Sequence, residues 1–168
     1  MKRIKLCAFS MLSPNYPTDP DGNSVKAAIG GDVTSSWLGP NTCVIRMSKA
    51  FNYAGTDHEI PAGHKGLGTV RGADGKHYAY RVTEFVKYLH QKYGPPDIVR
   101  RGSDISITPF QGATGLIVWH ISGWSDATGH FTLWDGTTGL YEGTHDYFVD
   151  FATTPPGPFL TSVEFWSC

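Results

Sequence analysis

Asn41-Thr42-Cys43-Val44-Ile45-Arg46-Met47-Ser48 sets a single cysteine just behind Gly39-Pro40, at the point where an apolar helical pattern begins. Thr42 or Asn41 can cap the helix, and the open N–H groups and positive dipole end of its first turn favour Cys43 as a thiolate over a thiol. Val44, Met47 and Phe51 follow at helical spacing and Ile45 and Ala54 widen the stripe. The helix, expected from about Thr42 to Ala54 with Gly55 as its stop, can therefore be buried with Cys43 at its tip. A thiolate needs a general base to become a catalyst. The best partner is His130 in Thr128-Gly129-His130-Phe131-Thr132-Leu133-Trp134-Asp135-Gly136, where a glycine precedes a histidine that opens a strand. His120 lies inside an apolar run and reads as a packed strand residue.

A chain of 168 residues is expected to form one domain, residues 1–168, with a sizeable core. Hydrophobic residues make up 40% and charged residues 17%, which excludes a disordered or coiled-coil chain and fits an α+β protein rich in loops. The net charge is −1 and no run of Lys or Arg exceeds a pair, so neither nucleic acid nor an anionic membrane surface is expected as a partner. Cys7, Cys43 and Cys168 offer no Cys-x-x-Cys spacing, and His58 and His64 have no third ligand near them in sequence. No metal or cofactor is expected on that basis. If Cys43 is the free thiol, Cys7 and Cys168 could pair and tie the chain ends together in an oxidising compartment. The apolar patch Leu6 to Leu12 is too short for a signal-peptide core, so export without a cleaved leader is expected. No stretch is long enough to span a bilayer.

Residues 1 to 24 read as a loop-rich lead-in with Pro14, Pro17 and Pro20, after which Ser24 can cap a short helix, Val25 to Ile29, ended by Gly30-Gly31. Asp74-Gly75 is a hairpin signal between residues 70–71 and 77–81. Thr83 is expected to cap a helix from Glu84 to Tyr93, stopped by Gly94-Pro95-Pro96. Ile98 to Pro109 reads as polar connection. Strands are expected at Leu116 to Ile121 and Phe131 to Trp134, weakly at Leu140–Tyr141 and Tyr147 to Phe151, and last at Ser162 to Trp166.

A helix-borne cysteine followed well downstream by a strand-borne histidine is the order of the papain-like and NlpC/P60-like cysteine peptidases. The chain more closely resembles the fourth family of type VI secretion amidase effectors. The resemblance rests on Ile29-Gly30-Gly31, Asn41 to Ser48, Gly72-Ala73-Asp74, Tyr80-Arg81-Val82, Gly115-Leu116-Ile117-Val118, Gly123-Trp124-Ser125-Asp126-Ala127, Gly129 to Gly136 and Gly157-Pro158-Phe159. These stretches are collinear and span about residues 25 to 160. The resemblance implies an α+β papain-like fold with the nucleophile helix packed on an antiparallel sheet. It also implies an antibacterial toxin that cuts the peptidoglycan stem peptide between D-glutamate and meso-diaminopimelate in the periplasm of a target bacterium. A cognate immunity protein that blocks the cleft is implied with it.

Cys43 matches the family's nucleophile and His130 its base, with Asn41 and the loop residues Trp124, Ser125 and Asp126 as substrate contacts. The family's third, acidic member is where this chain departs. Counting forward from His130 reaches Tyr141, next to Glu142, whereas counting back from Gly157-Pro158-Phe159 reaches Asp146. Asp135 reads as a turn residue beside Gly136. With the turn centred on Thr137, both Glu142 and Asp146 share the face of His130; Glu142 is preferred because it precedes Gly143. A catalytically silent cell-wall binding module and a cysteine acyltransferase of the same fold are the alternatives.

Overall fold

Leu116 to Ile121, apolar at every position but His120, becomes the centre of the sheet. The computed structural model of the chain describes residues 2–125, 127–140 and 147–168. Its helices are α1 (Phe9–Leu12), α2 (Gly22–Ile29), α3 (Cys43–Asn52), α4 (Val82–Tyr93) and α5 (Tyr147–Asp150). Its strands are β1 (Thr69–Arg71), β2 (His77–Ala79), β3 (Ile98–Arg101), β4 (Thr114–Ser122), β5 (Gly129–Asp135), β6 (Gly139–Leu140) and β7 (Phe159–Ser167). The five-stranded sheet runs β3-β7-β4-β5-β6 and is antiparallel throughout, while β1 and β2 form a separate hairpin around Asp74-Gly75. This is the α+β, papain-like arrangement that the resemblance implied.

Alternation along β4 and β5 loads both faces of the sheet. Leu116, Val118, Phe131 and Leu133 join α3 and α4 in one buried cluster, which also holds Cys43, Met47 and Phe51. Ile117, Trp119 and Trp134 join Phe110, Val163 and Phe165 in a second on the opposite face. Because both faces are covered, β4 carries a continuous apolar run instead of a polar/apolar alternation. Between His120 and Ile121 the pairing of β4 with β7 shifts register, so Thr161 is the extra residue of a bulge; its hydroxyl donates to the His120 carbonyl at 3.2 Å.

Helix α3 is buried at nine of its ten residues, more completely than an apolar stripe alone predicts. Its polar positions are used to stitch it to the small hairpin. The Ala79 N–H donates to Ser48 Oγ at 3.0 Å, and Asn52 Nδ2 donates to the His77 carbonyl at 2.8 Å. Asn52 Oδ1 takes the Ile60 N–H at 2.9 Å, so both ends of that amide are satisfied.

Several expectations need correction. Asp21, not Ser24, caps α2: its carboxylate accepts the N–H groups of Asn23 and Ser24 at 3.1 and 3.0 Å, which moves the helix start back to Gly22. Thr83 does not cap α4 but lies within its first turn, and its hydroxyl meets that of Thr128 at 2.9 Å. Residues 98–101 are not connection; they form the edge strand β3 against β7, and two arginines there keep the outer edge charged. Residues 147–150 are helical, because Tyr147, Phe148 and Phe151 all reach the same aromatic cluster and a strand would send the first two to opposite faces. The lead-in contains α1 and a 3-10 turn at Ser13–Asn15, with Leu12 and Tyr16 buried.

Candidate active site

The start of α3 is prepared by the chain before it. Gly39 takes φ of 69°, a left-handed value that a side chain disfavours, and turns the chain into Pro40. Asn41 Oδ1 then accepts the Cys43 N–H at 3.1 Å, so the cap is Asn41 and not the Thr42 hydroxyl. Thr42 Oγ1 is taken by Arg46 Nε at 3.0 Å, and Arg46 Nη1 donates to the carbonyls of Pro17 and Asp19 at 3.0 and 2.6 Å. A buried guanidinium thus fixes the first turn of the helix to the N-terminal segment.

Cys43 stands at this helix start. It is buried there, as is Cys7, while Cys168 is half-buried; Cys7 and Cys168 are free thiols. Burial pushes the Cys7 thiol above its ordinary value and the Cys168 thiol up to about 12. Thiols held protonated in this way are poor nucleophiles.

His130 is the second residue of β5. A Cβ at position 129 would collide with the Trp119 carbonyl oxygen, so glycine there is what lets the strands close and sets His130 opposite Trp119. The imidazole lies 6.2 Å from the Trp119 ring centroid and 4.8 Å from that of Tyr147. Thr132, two residues on and so on the same strand face, accepts a hydrogen bond from Tyr16 at 3.3 Å. Tyr16 and Cys43 belong to one buried cluster, and α3 packs against β5. His120 points to the opposite face, where its Nε2 lies 3.3 Å from Glu164 Oε1 without hydrogen-bond geometry and His90 Nε2 meets Glu164 Oε2 at 2.8 Å. Burial raises the Glu164 carboxyl, but pairing with His120 and His90 outweighs it and holds the group below the usual carboxylate range.

Asp135 is a turn residue, as its place beside Gly136 predicts. Its Oδ1 accepts from Thr137 N and Oγ1 at 3.0 and 2.6 Å, and those bonds hold its carboxyl low. Trp134 pairs with Leu140 and Asp135 with Gly139, which centres the turn on Thr137. Glu142 and Asp146, the two candidates for the third member, lie outside the described residues, as does Asp126. Trp124 packs edge-on against Tyr147 and Phe151 with centroids 6.0 and 5.5 Å apart, and Ser125 is exposed. His58 and His64 have partners of their own, Tyr93 and Gln91, each at 2.9 Å. Among the described residues no three metal-ligating side chains cluster, and no helix is long and apolar enough to cross a membrane.

A cleft of about 530 Å³ opens beside the two element starts. Asn41, the cap of the Cys43 helix, and Thr128, two residues before His130, line it together with Trp37, Tyr80, Arg81 and Lys87. Sequence reasoning assigned no role to Trp37, Tyr80 or Arg81. The available signals were an isolated tryptophan after Ser35-Ser36, immediately before the turn into Cys43, and the Tyr80-Arg81-Val82 stretch of the family resemblance. Cys43 starts a helix that packs against the strand His130 opens, and these are the residue types that acyl transfer through a covalent intermediate uses.

Residues 40–166 match the family model for type VI secretion system amidase effector protein 4, Tae4. No curated protein sequence matches the chain significantly. Among solved structures, the Tae4–Tai4 effector–immunity complex of Enterobacter cloacae matches with a TM-score of 0.79 at 28% identity, over 99% of this chain and 99% of that one. Tae4 of Salmonella typhimurium in complex with the E. cloacae immunity protein gives 0.79 at 29% identity, over 95% and 98%. A crystal structure of the effector Tae4 from E. cloacae gives 0.76 at 27%, over 99% of each chain.

Proposed function

The chain belongs to the family of type VI secretion system amidase effector protein 4, antibacterial enzymes acting on peptidoglycan, and on that premise we propose that it is a cysteine endopeptidase cutting the stem peptide between D-glutamate and meso-diaminopimelate. Cys43 is the nucleophile and His130 the base. The imidazole takes the thiol proton, the thiolate attacks the γ-D-glutamyl carbonyl, and the C–N bond breaks as the imidazolium protonates the departing amine. Water, deprotonated by the same imidazole, then hydrolyses the thioester and regenerates the thiol. The Cys43 N–H, which donates to Asn41 Oδ1, transfers that hydrogen bond to the developing oxyanion. Glu142 or Asp146 orients the imidazole.

The observation that carries this reading is the cleft that meets the start of α3 at Asn41 and the approach to β5 at Thr128, so that one bound peptide can reach both element starts. All three thiols are at least half-buried, and what supports Cys43 over Cys7 and Cys168 is its place at a helix start beside the cleft residue Asn41. The E. cloacae and S. typhimurium effectors crystallised with Tai4 immunity proteins. By extension, this chain has a cognate immunity protein that closes the same cleft in the producer, and acts in the periplasm of the target cell.

The test is digestion of purified sacculi followed by mass spectrometry of the released muropeptides. The reading expects fragments ending at D-glutamate and new amino groups on diaminopimelate, absent with Cys43→Ala. Unchanged sacculi would assign the chain to a silent binding module, and a new cross-link to an acyltransferase.

A further inference from the structure

Part of the cleft lining has a chemistry of its own. Trp37, in the 3-10 turn Ser36–Leu38 just before the nucleophile helix, is 63% exposed, while Trp119, Trp134 and Trp166 are buried. It makes one ring contact, edge to face with Tyr80 at 5.3 Å. Arg81 lies 5.0 Å over the Tyr80 ring and uses a single N–H donor, Nη1, on Glu84 Oε1 at 2.9 Å. The rest of its fork is therefore available for a ligand. Glu84 is committed on both oxygens, since Oε2 takes the Gly68 N–H at 2.7 Å. Exposed Lys87 follows on the same helix face, so the rim carries two cations against one engaged carboxylate.

An exposed indole, a second aromatic beside it and a net positive rim match a ligand with an apolar ring face next to a carboxylate. Building on the peptidoglycan reading above, we propose that the Trp37–Tyr80–Arg81 part of the cleft binds the glycan-linked part of the substrate, with a pyranose ring on Trp37 and a stem carboxylate on Arg81 and Lys87. The site then selects stems still attached to sugar over free peptides. Its residues hold substrate remote from the scissile bond, so they act on binding equally in ground and transition states and should move KM, not kcat.

Hydrolysis of a disaccharide-tetrapeptide and of the same tetrapeptide without sugar provides the test. Trp37→Ala should raise KM for the glycosylated substrate about tenfold with kcat little changed, and leave the sugar-free peptide unaffected. Arg81→Gln should raise KM for both substrates and flatten their salt dependence. Active wild-type enzyme with unchanged KM in both variants overturns this proposal and leaves the endopeptidase reading standing. A wild-type protein that cleaves neither substrate sinks that reading instead. The cleft is then judged by titrating the disaccharide-tetrapeptide into Cys43→Ala and following tryptophan emission. A change lost in Trp37→Phe supports the site, and no change overturns it.

Discussion

His120 and His130 stand on neighbouring strands, one register step apart, and share almost nothing else. Trp119 faces His130 and His120 faces Gly129, so the two imidazoles project from opposite sides of one hairpin. His120 meets Glu164 beside His90 of α4 in a half-buried set of one carboxylate and two rings. His130 lies among aromatic rings at the opening of its strand, two residues from a cleft. A single register step gives the same side chain opposite faces of the hairpin and entirely different neighbours.

Replacing each histidine breaks the comparison most strongly. His130→Ala should lower sacculus hydrolysis by about 10²–10⁴-fold, the usual worth of a positioned general base, with its denaturation midpoint little changed. His120→Ala should do the reverse: turnover stays, and stability falls because Glu164 is left half-paired. An inactive, folded His120→Ala beside an active His130→Ala would exchange the two roles.

Glu164→Gln sharpens the His120 side. At pH 7 it should cost about 1–3 kcal/mol in urea unfolding with activity retained, since a half-buried, hydrogen-bonded carboxylate is lost. The folded-state pKa of Glu164 lies below its ordinary value of 4.5, so between the two the unfolded chain binds the extra proton. The stabilisation is full above about pH 4.5 and fades as the pH falls through the folded value, where the variant and the wild type should converge.

Lys92, on the same helix as His90, is the mildest test. Burial lowers its ammonium to about 8, and its Nζ donates to the Tyr88 hydroxyl at 2.8 Å. Above that pH the folded state has released a proton that the unfolded chain still holds, so wild-type stability should rise from about pH 8 towards 10. Lys92→Met should lose that rise while staying within about 1 kcal/mol of wild type at pH 7, because the side chains are similar in volume. A wild-type stability that is flat across this interval would argue against a strained ammonium.

The legible parts of the chain were those where pattern and burial agree. Leu116 to Ile121 has to be a buried strand whichever partner it takes, and Asn41 to Phe51 has both a cap and a stripe. A turn at Asp135-Gly136 was readable from the residues, while its centre at Thr137 is fixed by the pairing of β5 with β6. The edge strand β3 was unreadable because Ile98-Val99-Arg100-Arg101 is defined by its pairing with β7 and not by its own periodicity. The helix at 147–150 was hidden because a short aromatic run fits either period. Glu164 gives no sign in sequence that two histidines, 74 and 44 residues away, converge on it. Trp37 reads as loop, since only the fold brings Tyr80 and Arg81 beside it.

The pairing of Cys43 with His130 is most directly tested by limited alkylation with iodoacetamide over a range of pH, the modified cysteine being located by mass spectrometry. In the native protein Cys43 should react first and with a pH dependence displaced to the acid side of an ordinary thiol. That displacement should disappear in His130→Ala and persist in His120→Ala. Faster labelling of Cys7 or Cys168, or a Cys43 profile indifferent to His130, would contradict the account.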